Sequence, residues 1–403
     1  MGAMNELINA AAVERLRGQV LVAARAEQPD FAAGVTDGDA LPTVRAAQTG
    51  VDGLSLRERA DLVSAALISD LTGSDFGGAD GAGGAGDSVA ARAGDPDADY
   101  RFVAAVFRGA LADPGFAGWT IWPVSETVTT LALLADRDGP AFDDGLTLLA
   151  QLTPRLTSEF AIRRFLEADL DRALAVVETW VDDADDAVRR LASEGTRPFL
   201  PWAIRVRSVL ARPDAALPIL HALHADESDF VRRSVANHLN DLARENADLV
   251  VQVATAWMED PGQNTRWVVR HGLRTLIKKG NPGALALLGF ETATVTVTEP
   301  TLDSPSVTTP GELGFTFDIT NDGATPVRLA IDYVVHYVKS NGTTAGKVFK
   351  LTTATLAPGE TTRVAKRHGF RPMTTRVHYA GTHSLQPQVN GQRFGGTEFE
   401  LVL

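Results

Sequence analysis

The sequence predicts an α-solenoid, a stack of helix pairs, followed by a β-sandwich. Three observations predict it. Helical periodicity dominates from about residue 5 to residue 288, where strand alternation is scarce. Residues 231–246, VRRSVANHLNDLAREN, align without gaps to residues 265–280, TRWVVRHGLRTLIKKG, at an offset of 34. From Glu291 onward the texture changes to short alternating runs separated by turn signals.

Periodic apolar positions place helices near 12–25, 56–71, 101–112, 123–135, 141–152, 159–165, 169–181, 185–193, 202–211, 215–223, 229–244, 248–259, 264–279 and 282–288. Residues 73–99 are Gly, Ala and Asp with almost nothing to bury, and they read as a disordered insertion. In the aligned copies, Arg232 and Arg266, Val235 and Val269, Leu239 and Leu273, and Leu242 and Leu276 are identical pairs. A helix pair cannot bury its apolar stripe alone, so repeated pairs stack on their neighbours. Beyond residue 290, the runs TATVTVT, LGFTFDIT, VRLAIDYVVHYV, KVFKLTTATL, TTRVAKR, TTRVHYAG and TEFELVL read as strands. They are separated by TNDGATP, SNGTTAG, APGE and VNGQRFGG. About seven strands in such a length make an immunoglobulin-type sandwich. The expected domains are therefore residues 1–290 and 291–403.

With no cysteine, disulfides and cysteine-ligated zinc are excluded, which fits a reducing cytoplasm. No apolar run reaches the ~18 residues of a membrane span, and the first twenty residues lack the basic segment of a secretory signal. The net charge of −13 is unevenly spread. Residues 1–150 hold 10 basic and 22 acidic side chains, residues 151–290 hold 18 and 19, and residues 291–403 hold 10 and 10. Overall acidity therefore leaves room for a local basic surface.

One such surface is written into the second copy. Arg266, Arg270, Arg274 and Lys278 follow at steps of four and form one line on a helix, with no acid between Pro261 and Gly280. A ridge without interleaved acids suits a row of phosphates, and a solvated face is the plainer alternative. The acids cluster elsewhere. Glu159 lies among Arg155, Arg163 and Arg164; Glu194 among Arg189, Arg190 and Arg197; Asp241 between Arg233 and Arg244. The dipeptide Ser-Glu recurs at Ser125-Glu126, Ser158-Glu159 and Ser193-Glu194, at spacings of 33 and 35. Repeats would set these acids at similar heights on a shared face, unless they only cap helices or pair within a repeat. Trp202 follows Pro198 and Pro201, near the start of a helix, where an aromatic ring can stand exposed. His221 and His224 have no third ligand near them, so no metal site is expected.

The segments TIWPVSE, LTSEFAIRRFL, SEGTRPFLPWAIR, FVRRSVANHLNDLA and NTRWVVRHGLRTLIKKGNP together resemble the AlkC branch of the AlkC/AlkD DNA alkylation-repair glycosylases. The likeness covers most of residues 101–290, and a C-terminal sandwich is also a feature of that branch. It implies a solenoid of HEAT-like repeats that binds double-stranded DNA carrying alkylated bases. The implied reaction is hydrolysis of the N-glycosidic bond of cationic methylated bases, chiefly 3-methyladenine, with 3-methylcytosine and 1-methyladenine as lesser substrates. The base is expected to stay within a bent duplex, clamped from the other side by the sandwich. The resemblance gives Asp241, Glu194, Glu159 and Trp202 the catalytic roles. The expected DNA contacts are Arg163, Arg164, Arg197, Arg232, Arg233, Asn237, Arg266, Arg270, Arg274 and Lys278. No cofactor or metal is required, and a cytoplasmic monomer is expected. The competing reading is a non-enzymatic α-solenoid scaffold that binds a protein partner. It accounts for the repeats and the acidity but not for the acid-free ridge.

Overall fold

A computed structural model of the chain describes residues 6–74, 95–371 and 377–403. They pack as two compact units, Met1–Leu242 and Ala243–Leu403.

The first unit is helical. Its elements are α1 (Ala10–Glu27), α2 (Pro42–Gly50), α3 (Leu56–Thr72), α4 (Pro96–Ala110), α5 (Ile121–Leu134), α6 (Ala141–Leu152), α7 (Ile162–Ala168), α8 (Leu170–Val177), α9 (Asp186–Gly195), α10 (Arg207–Ala211), α11 (Leu217–Leu223) and α12 (Asp229–Leu242). Local chemistry starts many of them. Asn9, Asp95, Asp169 and Asp185 accept bonds from the first free N–H groups of α1, α4, α8 and α9. Ser55 and Glu58 form a reciprocal capping box at α3. The stripe Val231, Val235, Leu239 and Leu242 of α12 is fully buried, as its spacing requires. Hydroxyl pairs join neighbouring segments: Ser64 with Thr127 at 3.0 Å, Ser125 with Ser158 at 3.3 Å, and Ser193 with Ser234 at 3.0 Å. The serines of the Ser-Glu repeats thus face neighbouring segments of the unit.

The second unit begins with α13 (Ala247–Glu259), α14 (Thr265–Gly272), α15 (Arg274–Lys279) and α16 (Pro282–Ala286). Helices give way to strands near residue 290, where the domain boundary was expected, but the compact units divide earlier, after Leu242. The strands are β1 (Val295–Val297), β2 (Thr301–Leu302), β3 (Ser306–Thr308), β4 (Gly311–Asn321), β5 (Val327–Val338), β6 (Thr344–Leu356), β7 (Thr361–Phe370), β8 (Gly381–Val389), β9 (Gln392–Arg393) and β10 (Thr397–Val402). One sheet has the order β1-β4-β2, with β7 also paired to β4; the other runs β3-β10-β8-β5-β6, with β9 on β8. Their inner faces bury Phe315, Phe317, Tyr333, Tyr337, Phe370 and Phe399 in one core.

Four expectations need correction. Helix α2 was not anticipated, because its cap is remote: the Asp70 carboxylate of α3 accepts from the N–H groups of Thr43 and Val44. The helix expected at 202–211 shrinks to α10, since Pro198 and Pro201 hold the preceding residues in turns. The helix expected at 264–279 breaks at Leu273, next to Gly272, and the Arg274 side chain takes the His271 carbonyl at 2.7 Å. The strand expected at 374–381 is absent at 377–380, and residues 374–376 lie outside the described residues; β8 follows instead. Of the insertion expected at 73–99, residues 75–94 lie outside the described residues. Gly73 ends α3 at φ 68°, and Pro96 already opens α4.

Two glycines lock the last helices to the sandwich. Gly280 ends α15 at φ 77°, and Gly391 sits in the β8–β9 turn at φ 82°. A Cβ on Gly280 would stand 2.6 Å from the Gly391 Cα. Beside them Asn390 Nδ2 donates to the Glu291 carbonyl at 2.6 Å, and the Arg328 guanidinium lies 4.6 Å over the Phe290 ring. Gly280→Ala adds a left-handed strain of about 1–2 kcal/mol to that clash, so it should cost about 2 kcal/mol or more in denaturant unfolding. A wild-type midpoint in that variant would mean that this contact is not made in solution.

Candidate functional site

Glu159, Glu194 and Asp241 come from three separate parts of the sequence, and the first unit brings them into one row. Glu159 lies in the turn before α7, Glu194 in the last turn of α9 and Asp241 in the last turn of α12. Arginines stand between them. Arg190 Nη1 is 2.8 Å from Glu159, and its Nη2 is 3.6 Å from Glu194. Arg197 reaches Glu194 at 2.5 Å and Asp241 at 2.9 Å. The sequence of groups is therefore Glu159, Arg190, Glu194, Arg197, Asp241, without a break. The row is shallowly buried: side-chain exposure is 13% at Glu159, 7% at Glu194 and 3% at Asp241. Burial opposes the charge on Arg197, yet Glu194 and Asp241 together hold its pKa above the ordinary arginine value.

The segment after α9 is held from below by Arg163. That side chain is fully buried, and its guanidinium donates to the carbonyls of Ile204 at 2.6 Å, Arg197 at 2.7 Å and Pro198 at 3.1 Å. Burial, helped by the nearby charge of Arg197, lowers its pKa to about 10. The loop so braced presents Trp202, which is 58% exposed and sits at φ 64°. A tryptophan in the left-handed region is strained, and such strain persists only where the surroundings impose it. Trp202 lies in a turn rather than at a helix start. The exposed ring of Phe230 covers Arg190, whose guanidinium carbon is 4.6 Å from the ring centroid.

Residues 157–276 match the family of DNA alkylation repair enzymes, and residues 296–403 match the C-terminal Ig-like domain of the uncharacterised protein YhaZ. The chain is 37% identical over 261 residues to the uncharacterized protein YhaZ of Bacillus subtilis (strain 168), a span that covers 64% of this chain and 72% of that protein. It is also similar to the solved structure of the Pseudomonas fluorescens alkylpurine DNA glycosylase AlkC bound to DNA containing an abasic site analog. That likeness has 32% identity and a TM-score of 0.69, and it covers 100% of both chains. The chain belongs to the AlkC-like DNA alkylation-repair family.

Within this AlkC-like frame, several residues expected to touch DNA also make contacts inside the protein. Arg163 is committed to backbone carbonyls, as described. Arg197 is the bridge between two acids. Arg232 is buried and donates to the carbonyls of Asp226 and Glu227 at 2.6 and 2.7 Å. Arg164 is half-buried, bonded to Thr130 Oγ1 at 2.7 Å and 4.0 Å from Glu126. Arg233 is exposed and pairs with Asp229 on its own helix. Asn237 is half-buried on the same helix. Arg244 belongs to the second unit, where it lines a shallow cleft with Lys279 and Asn281. Arg266, Arg270 and Lys278 are exposed and Arg274 is half-buried, but the break at Leu273 divides their line between α14 and α15.

Two features were missed. Arg190 was seen near Glu194 but not as the link to Glu159; its step of four before Glu194 was the available signal. Glu126 is a further buried acid with its own partners: Trp122 Nε1 donates to it at 3.1 Å, and Arg57 stands 3.4 Å away. Trp122 itself is buried, stacked on Phe160 at 4.4 Å. Arg57 carries no sequence signal that points to that site. Among the described residues, no group of three His, Asp or Glu side chains is placed to hold a metal ion, and no helix is long and apolar enough to cross a membrane.

Beneath the row lies His238, fully buried on α12. Burial first, and then the charges of Arg197 and Arg163, push its pKa from 6.5 down to about 3. In the unfolded chain the ordinary value returns, so below it the unfolded state binds a proton that the folded state refuses. The resulting stability is complete above about pH 6.5 and is lost toward pH 3, by up to about 1.4 kcal/mol per pH unit. His238→Asn removes this titration. Its stability relative to wild type should therefore rise as pH falls from about 7 to 5, followed by denaturant unfolding at each pH. A constant difference would show that His238 titrates normally in the folded protein.

Proposed function

We propose that this chain is a DNA glycosylase of base excision repair that hydrolyses the N-glycosidic bond of cationic N-methylated bases in double-stranded DNA. The observation that carries this reading is the bridged row Glu159–Arg190–Glu194–Arg197–Asp241, in a chain similar from end to end to an alkylpurine glycosylase. The chief substrate is 3-methyladenine, with 3-methylcytosine and 1-methyladenine as lesser ones.

The chemistry fits those residues. A cationic base leaves with the electron pair of the broken C1′–N bond and becomes neutral, so no general acid has to protonate it. The sugar left behind gains oxocarbenium character, and a fixed carboxylate lowers the energy of that state. Asp241 supplies this charge, and Glu194 and Glu159 orient the water that attacks C1′ and take up its proton. The products are the free base and an abasic site. Arg197 covers Asp241. A phosphate of the bound strand competes for the guanidinium, and when Arg197 turns toward it the carboxylate is left to the sugar. Trp202, exposed on the braced loop, offers its ring to the cationic base. A lesion met at the surface does not have to leave the stack, so the reading is of excision without base flipping. The exposed cations of α14 and α15 are assigned to phosphates.

Asp241→Asn keeps the bond to Arg197 and removes the charge. Single-turnover excision from a 3-methyladenine duplex should fall by about 10²–10³, with DNA affinity kept. Normal excision per folded molecule would return Asp241 to a structural ion pair. Arg266→Ala and Arg270→Ala should each weaken binding to any duplex and reduce the slope of log K against log salt by about one. Unchanged slopes in both would leave α14 a solvated face.

A further inference from the structure

His238 takes no part in the chemistry proposed above, yet it lies one turn before Asp241 on α12. Its Nδ1 is 3.1 Å from the carbonyl oxygen of Ser193, the residue before Glu194 on α9. A carbonyl only accepts, so Nδ1 carries a proton; Nε2 has no hydrogen-bond partner, and burial keeps the ring neutral. One turn earlier, Ser234 Oγ donates to Ser193 Oγ at 3.0 Å. Ser234, His238 and Asp241 follow at steps of four and three and form one stripe of α12. The stripe makes three connections to one short segment of α9: two directly to Ser193, and one from Asp241 through Arg197 to Glu194.

An apolar residue at 238 would fill the space, but it would not fix how far α12 slides along α9. A directional bond to a carbonyl does. The ring's neutrality matters too, since a charged imidazole beside Arg197 and Arg163 would repel the guanidinium that spans the two acids. We propose that His238 is a positioning residue for glycosidic-bond hydrolysis: with Ser234 it sets the register of α12 against α9, and so the distance from Glu194 to Asp241. This rests on the glycosylase reading above. A misplacement of about 1 Å in such a pair costs on the order of 10² in rate, without a comparable loss of binding.

The experiment uses full-length wild type, His238→Leu, His238→Asn and Ser234→Ala, with folding checked by circular dichroism. Excision is measured under single turnover on a 3-methyladenine duplex, and affinity on the undamaged duplex. Asparagine places an amide donor where the imidazole Nδ1 stood; leucine does not. The expected result is a fall in rate of about 10–10² for His238→Leu with affinity within twofold, most of it regained in His238→Asn. Ser234→Ala, the smaller change, should lose several-fold in rate alone, and it carries the test if His238→Leu does not fold. Wild-type rates in folded His238→Leu or Ser234→Ala, or equal losses in the leucine and asparagine variants, overturn the proposal. A wild-type chain that excises none of the three methylated bases overturns the glycosylase reading and this proposal together.

Discussion

The first unit is organised around one requirement: carboxylates taken out of water need cations beside them. An unpaired buried charge costs several kcal/mol, and breaking a buried pair costs about 3–5 kcal/mol. Arg190 and Arg197 meet that requirement for Glu159, Glu194 and Asp241, and each guanidinium fixes the distance between the two acids it spans. Helices α9 and α12 are thereby held at a set separation, and the serine pair between them agrees with it. Arg197 can stand there only if the backbone after α9 turns sharply, and Arg163 holds that turn by three strong carbonyl contacts. The exposed tryptophan is the end of this chain of causes. It is presented because the loop is braced, and the loop is braced so that an arginine can bridge two acids.

Placement also explains how one helix can look ordinary in sequence and be central in the fold. The apolar stripe of α12 builds the core, its exposed edge carries the Arg233–Asp229 pair, and Asp241 sits where the two meet. Asp241 is bridged by Arg197, which lies 44 residues away in the sequence.

Much of the fold was legible because local rules and tertiary packing agree. The capping box at Ser55 and Glu58, the stripe of α12 and the alternation of β4 and β5 all say the same thing at both levels. What was illegible depended on distant groups. Helix α2 needs Asp70 from α3, and β8 contains Pro387, which argues against a strand until the neighbouring strands are in view. For the site, the spacing of Ser-Glu dipeptides pointed to the acids, whereas nothing in a sequence tells a buried arginine from an exposed one. Arg163, Arg232 and Arg266 look alike as letters; the first two are tied to backbone carbonyls and the third is open to solvent.

The contact of Gly280 with Gly391 bears on how such chains can be recombined. A protein engineer reading only the change from helix to strand would exchange the sandwich between relatives at residue 290. That cut separates two glycines that are each the reason the other has no side chain, and it parts the Phe290 ring from the Arg328 guanidinium that covers it. The exchangeable cassette is the whole of residues 243–403, in which the four helices travel with the strands.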